Sequence, residues 1–203
     1  MRNILRRLKM DPSFYLLILT AALLMALLPS FALGASGDPG FSAGIMASVG
    51  SGPMGNGSDV ATRSMLYTPI SVFAGYNYRK IRLGLQYEND RAGQTADTPD
   101  VSGQDISGSG NAPGVRLDYY DGLQSAGVIY RLNDTYVLNS ATIQGANTTY
   151  KAQSGFTVQY YRQFRNHFGF VIDYTTEQFN ESLANKIKWT RIGVGLVFTN
   201  FMK

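Results

Sequence analysis

Residues Thr190 to Phe198 constrain this chain more than any other stretch. Thr190, Ile192, Val194, Leu196 and Phe198 alternate with Arg191, Gly193, Gly195 and Val197. Successive strand side chains point to opposite faces, so such a strand has one face built for an apolar surrounding. Its other face carries a charge between glycines. That combination suits the wall of a narrow barrel, lipid outside and crowded side chains inside.

The same period recurs upstream. Phe41, Ala43, Ile45, Ala47 and Val49 share one face of a first strand, and Ser51 to Ser64 reads as a loop of glycine, serine and asparagine. Leu66 to Tyr78 forms the next strand, with Pro69 placed near its loop end because proline lacks an N–H. A tight turn at Arg79 and Lys80 leads into Ile81, Leu83, Leu85 and Tyr87, which alternate with Arg82, Gly84, Gln86 and Glu88. Asn89 to Gly122 reads as the longest loop, inside which Val115 to Tyr120 is either a strand above the membrane or a β-ordered segment. Further strands are expected at Leu123 to Leu132, Tyr136 to Ile143, Gly155 to Gln163 and Phe168 to Thr175, with short turns at Asn133 and Asn166. The count is eight, which returns both termini to one side. A membrane strand at Val115 to Tyr120 would require ten.

Composition agrees with an all-β chain. Only 16% of the 203 residues are charged, while there are 13 tyrosines and 22 glycines. Mean hydropathy is −0.10, the value a barrel produces because only every second strand residue meets lipid. The chain has no cysteine, which excludes disulfides and thiol chemistry. Arg2, Arg6, Arg7 and Lys9, against Asp11, account for three of the four excess positive charges. The remainder is nearly neutral, so the basic balance gives no support to nucleic-acid binding. Residues 1–35 have the basic start, the apolar run Phe14 to Leu28 and the small residues of a secretory signal peptide, leaving 36–203 as the barrel domain. Cleavage after Ala32 and cleavage after Gly34 both satisfy the small-residue rule.

From Phe41 to Phe198 the pattern resembles the small eight-stranded bacterial outer-membrane β-barrels, the OmpA-like and OmpX-like barrels. The resemblance implies an antiparallel transmembrane barrel with long extracellular loops and short periplasmic turns, in the outer membrane of a Gram-negative-type bacterium. It implies Ile192, Val194, Leu196 and Phe198 as the signal read by the barrel-assembly machinery. Periplasmic chaperones, outer-membrane lipid and lipopolysaccharide are the implied partners, with an extracellular ligand at the loops.

Arg82, Glu88, Arg131, Asp173 and Arg191 fall on inward positions and should pair across the lumen, since unpaired buried charge is costly. Tyr67, Tyr76, Tyr78, Tyr87, Tyr130, Tyr160 and Trp189 are candidates for interfacial girdles. Asp97, Asp100 and Asp105, with Asp90 nearby, lack the spacing of a calcium loop and read as a solvated acidic loop. The single histidine, His167, falls in a turn, away from the outer leaflet where a lipid-modifying base would act. No catalytic residue, metal or cofactor is expected. The expected role is structural or surface interaction, with a narrow solute channel as the alternative and a lipid A-modifying enzyme behind both. Intact-mass measurement on membrane-purified protein checks the signal segment: the mass should correspond to a start after Ala32 or Gly34, and a mass retaining Met1 would contradict cleavage.

Overall fold

The computed structural model describes residues 40–55, 62–94, 107–121, 123–139, 148–165, 167–181 and 185–199, all within the compact unit Leu33–Lys203. The expected signal segment and the acids Asp97, Asp100 and Asp105 lie outside the described residues. Ten strands follow in chain order: β1 (Gly40–Gly55), β2 (Arg63–Tyr67), β3 (Ile70–Tyr78), β4 (Ile81–Gln94), β5 (Ser107–Asp121), β6 (Gln124–Arg131), β7 (Thr135–Asn139), β8 (Thr148–Arg165), β9 (Phe168–Glu181) and β10 (Asn185–Thr199).

β2 and β3 both pair with β1 and β4, and β6 and β7 both pair with β5 and β8. Each couple is one stave interrupted along its length. The result is an antiparallel ring of eight staves, closed where β1 pairs with β10.

The first interruption falls at Thr68 and Pro69, where proline has no N–H to give. Thr68 N donates to Arg91 O at 2.8 Å and Ser48 N to Pro69 O at 3.1 Å, so the ladder continues across the gap. Pro69 therefore sits inside a stave and not at its loop end. The second interruption, Leu132 to Asp134, has Asn133 at φ 48°. Leu132 N donates to Pro113 O at 2.7 Å and Ala152 N to Asp134 O at 2.7 Å, which holds the break within the wall.

These pairings correct the sequence reading in four places, the first being the loop expected over Ser51 to Ser64, where β1 runs on to Gly55 and β2 begins at Arg63. Asn133 is not a periplasmic turn, and Thr135–Asn139 continues the stave begun by β6. Asn89 to Gly122 is not one loop: β4 runs to Gln94 and β5 begins at Ser107, with Val115 to Tyr120 a full member of the wall. Eight staves remain, because the stave gained there replaces the one lost at Asn133. β8 likewise starts at Thr148, seven residues before Gly155, where the sequence reading begins that strand.

The turn after β3, the turn around Leu123 and the turn around His167 share one end with the chain's Gly40 and Thr199. Arg79 and His167 adopt left-handed backbone there, at φ 54° and 65°. The longer connections leave the other end.

The outer face carries an apolar belt in which Leu85 is 66% exposed, Ile192 62% and Leu196 60%. A continuous belt around a closed wall is far larger than the apolar patches that soluble monomers expose, and lipid is its natural surrounding. It covers 81–87 of β4, 115–119 of β5, 126–132 around β6, 156–160 of β8, 168–174 of β9 and 192–198 of β10. Tyr87, Tyr130 and Tyr174 rim it toward the long connections, and Tyr76, Tyr78, Tyr119 and Phe168 rim it toward the turns. Tyr67 and Trp189, expected in these girdles, are instead buried inside. Replacing Leu85 by Arg should cost about 2–4 kcal/mol of folding stability in bilayers, and replacing Asn89 by Arg at most about 1 kcal/mol. Urea titration in lipid vesicles measures both; equal costs would argue against the belt.

Candidate functional site

Inward positions alternate with the belt, and their side chains fill the ring in layers. At the turn end, Met46, Phe73, Tyr120, Tyr161, Val171 and Val197 form an apolar cluster. Above it Arg82 Nε and Arg116 Nε both donate to Asp118 Oδ2, at 2.9 and 2.7 Å. Arg116 Nη2 adds a bond to Asp118 Oδ1 at 3.0 Å, and Arg116 Nη1 donates to Gln86 Oε1 at 2.9 Å. Both guanidinium groups lie over the Phe73 ring, at 4.9 and 4.2 Å from its centre. Desolvated cation–π contacts of this kind contribute about 2 kcal/mol each.

A second ionic layer surrounds Glu88. Arg131 Nη1 donates to Glu88 Oε1 at 2.9 Å, and Arg191 reaches the same carboxylate at 3.3 Å. Arg191 also donates to Asp90 at 3.2 Å, Asp173 at 3.2 Å and Thr175 Oγ1 at 3.1 Å. Arg131 Nε faces Asp134 at 2.8 Å and Glu177 at 3.0 Å. Ser71 and Ser48 hydroxyls donate to Glu88 and Asp173. A cavity of about 10 Å³ beside Glu88, Asp173 and Arg191 is the size of a single water.

Toward the long connections the interior becomes apolar again. Met54, Met65, Tyr67, Tyr136, Leu138, Tyr150, Phe179, Ile187 and Trp189 are packed together. Tyr67 stacks on Trp189 with ring centres 4.8 Å apart. Arg131 and Arg191 lie against the indole, 5.8 and 5.4 Å from its centre, joining the aromatic cap to the ionic layer. Most of this cap projects beyond the belt.

Arg82, Glu88, Arg131, Asp173 and Arg191 all point inward and are buried. The last four share one network, while Arg82 belongs to the separate Asp118 layer. Sequence reading missed Arg116 and Asp118, which lay in the supposed loop, and Glu177, two positions past the end given to its strand. It placed Asp90 in a solvated loop, yet Asp90 is 2% exposed and bonded to Arg191. Continuing the period of two from Glu88 and Thr175 finds both acids. Asp134 has no such signal, because it enters the lumen through the break at Asn133.

Glycines create the space. A Cβ on Gly193 would come 2.7 Å from Asp173 Oδ2, and one on Gly50 2.7 Å from the Arg191 side chain. At the turn end Lys80 Nζ donates to Asp121 Oδ1 at 2.8 Å, which raises the lysine's pKa; both groups are more than half exposed, so water weakens the pair. His167 Nδ1 lies 3.1 Å from Thr199 O at the same end. Outside, beyond the belt at the opposite end, Lys151 and Lys188 are exposed and Arg91 half-buried.

No protein-family model and no curated protein sequence matches the chain. Among solved structures it is similar to Neisserial surface protein A (NspA), with TM-score 0.54 and 11% identity over 79% of this chain and 98% of that one. It is also similar to Ail, the attachment invasion locus protein of Yersinia pestis, solved with the heparin analogue sucrose octasulfate: TM-score 0.50, 10% identity, 78% of this chain and 99% of that one. At these identities the likeness shows the fold alone, a small antiparallel β-barrel like the eight-stave ring described above.

The central layer has a measurable consequence. Arg131→Met leaves Glu88, Asp134 and Glu177 short of a cation and should cost about 3–5 kcal/mol, whereas Lys80→Ala should cost under about 1 kcal/mol. Denaturant unfolding in detergent micelles compares them, and similar losses would mean that Arg131 is not the hub.

Proposed function

We propose that the protein resides in the bacterial outer membrane and acts through its extracellular end, holding an external ligand there. The observation that carries this reading is the filled interior: two ionic layers between two apolar clusters, with space for about one water beside Glu88. A wall so occupied favours a binding scaffold over a solute channel. β4 runs on to Gln94 beyond Tyr87, and its neighbours rise with it, so a polar collar stands above the lipid. Arg91, Lys151 and Lys188 give that collar positive charge. The same-fold protein Ail was solved with a heparin analogue, and a sulfated or phosphorylated polyanion suits this collar equally. Lipopolysaccharide phosphates are the nearest such groups in an outer leaflet.

Catalysis is not part of the reading, since His167 stands at the turn end, across the barrel from the outer leaflet. Insertion would use the barrel-assembly machinery and periplasmic chaperones. Ile192, Val194, Leu196 and Phe198 serve as the assembly signal in this scheme, with β10 forming the closing seam against β1.

Two measurements test the proposal. Planar bilayers loaded heavily with protein should stay silent, and a reproducible conductance step would favour the channel instead. In lipid nanodiscs, a heparin fragment should bind with salt-sensitive affinity that falls about tenfold when Lys151 and Lys188 become Gln, roughly 1.4 kcal/mol in all. Unchanged affinity would remove the collar from the site.

A further inference from the structure

The upper ionic layer carries more acid than base. Glu88, Asp90, Asp134, Asp173 and Glu177 lie 2.8 to 3.3 Å from two guanidinium groups, Arg131 and Arg191. Were all five carboxyls ionised, three negative charges would lie uncompensated in this network. Buried groups in that position take up protons instead.

The geometry shows where. Arg131 Nε has a single hydrogen, and it faces both Asp134 Oδ2 at 2.8 Å and Glu177 Oε2 at 3.0 Å. One N–H cannot satisfy two carboxylates, and two like charges drawn to one point repel. The second oxygen of each group, Asp134 Oδ1 and Glu177 Oε1, is buried and has no hydrogen-bond donor. One added proton resolves this: a carboxylic acid O–H donates to the neighbouring carboxylate and removes one charge. Gly155 leaves the room, since a Cβ there would come 2.7 Å from Glu177 Oε1.

We propose that Asp134 and Glu177 hold one proton between them at neutral pH, forming an acid–carboxylate latch that ties the break at Asn133 to β9. Both groups lie beyond the apolar belt. The charged groups that act on both are Arg131 from β6 and Glu88 from β4; Asp90 from β4 and Arg191 from β10 belong to the same network, Thr157 from β8 bonds Arg131, and Tyr67, Tyr136 and Trp189 pack in the adjoining cap. Burial, with the hydrogen bond to Asp134, pushes the Glu177 carboxyl up to about 10 against the pull of Arg131. Burial also raises Asp134, which the bond with Glu177 lowers, so the proton sits on Glu177. With the folded pKa above the ordinary 4.5, the folded barrel binds the extra proton between those values. Stability from the latch is therefore present at low pH and lost as pH rises through that window. Base removes the proton as water, and the two carboxylates then repel.

Infrared spectroscopy of the full protein in detergent micelles tests this. The wild type should show the C=O stretch of a protonated carboxyl at neutral pH, titrating away toward about pH 10. Glu177→Gln, whose amide N–H replaces the acid O–H toward Asp134, should remove the component of the band that titrates toward about pH 10 and flatten the fall of the unfolding midpoint with pH. No band in the wild type overturns the proposal whether or not the variants fold. A band unchanged in both Glu177→Gln and Asp134→Asn overturns it too, as does an unchanged pH slope in Glu177→Gln.

Discussion

Everything in this molecule follows from one constraint, that a strand wall standing in lipid must pair its peptide groups. In hydrocarbon an open strand edge costs several kcal/mol per group, so the sheet must close, and here it closes where β1 meets β10. Closure at eight staves fixes a bore just wide enough for side chains. The outer residues then have to be apolar, and the inner ones have to fill a fixed volume without stranding a charge. Both demands appear as the alternation of Leu85 outside and Gln86 inside, or Ile192 outside and Arg191 inside.

The two stave interruptions show how the wall tolerates irregularity. At Pro69 the missing donor is bypassed, and Tyr67 above the gap and Ser71 below it stay on the same inward face. At Leu132 to Asp134 the parity changes: odd residues face inward up to Arg131, and Asp134, Tyr136 and Leu138 face inward afterwards. The neighbouring stave compensates, since β8 has a register shift between Ala152 and Ser154, with Tyr150 inward on one side and Gly155 on the other. The parity change puts Asp134 beside Arg131 and starts the aromatic cap. A local backbone irregularity thus assembles the most charged part of the interior.

The interior in turn bears on function. Arg131 and Arg191 bridge the acidic layer and Trp189, so packing of the cap and pairing of the charges are one structure. Opening a path through it would expose several charges and an aromatic cluster together, which is why the filled bore argues for work done at the rim. The rim's outward charge is positive in the described part, whereas its inward charge is negative. A polyanion held as proposed would sit on the outer wall, away from the lumen acids.

Much of this was legible in the sequence because the strand period of two is a local property. Belt residues such as Leu83, Val194 and Leu196 and the inward set Arg82, Glu88, Arg131, Asp173 and Arg191 could be read from alternation and charge cost, while the total of eight staves held because one stave missed at β5 offset one wrongly divided at Asn133. Partner choice could not. That Arg82 pairs with Asp118 while Arg191 reaches Glu88, 103 positions away, depends on stave order and stagger, which no single strand encodes. The break at Asn133 looked like a turn because a short polar pair between two apolar runs has that signature in either setting. Only pairing to Pro113 and Ala152 distinguishes a bent stave from a hairpin. The sequence by itself determined which side of the wall most residues face, through the chirality and pleat of each strand. The tertiary structure decided which of them meet, because closing the ring is what brings distant inward groups within bonding distance.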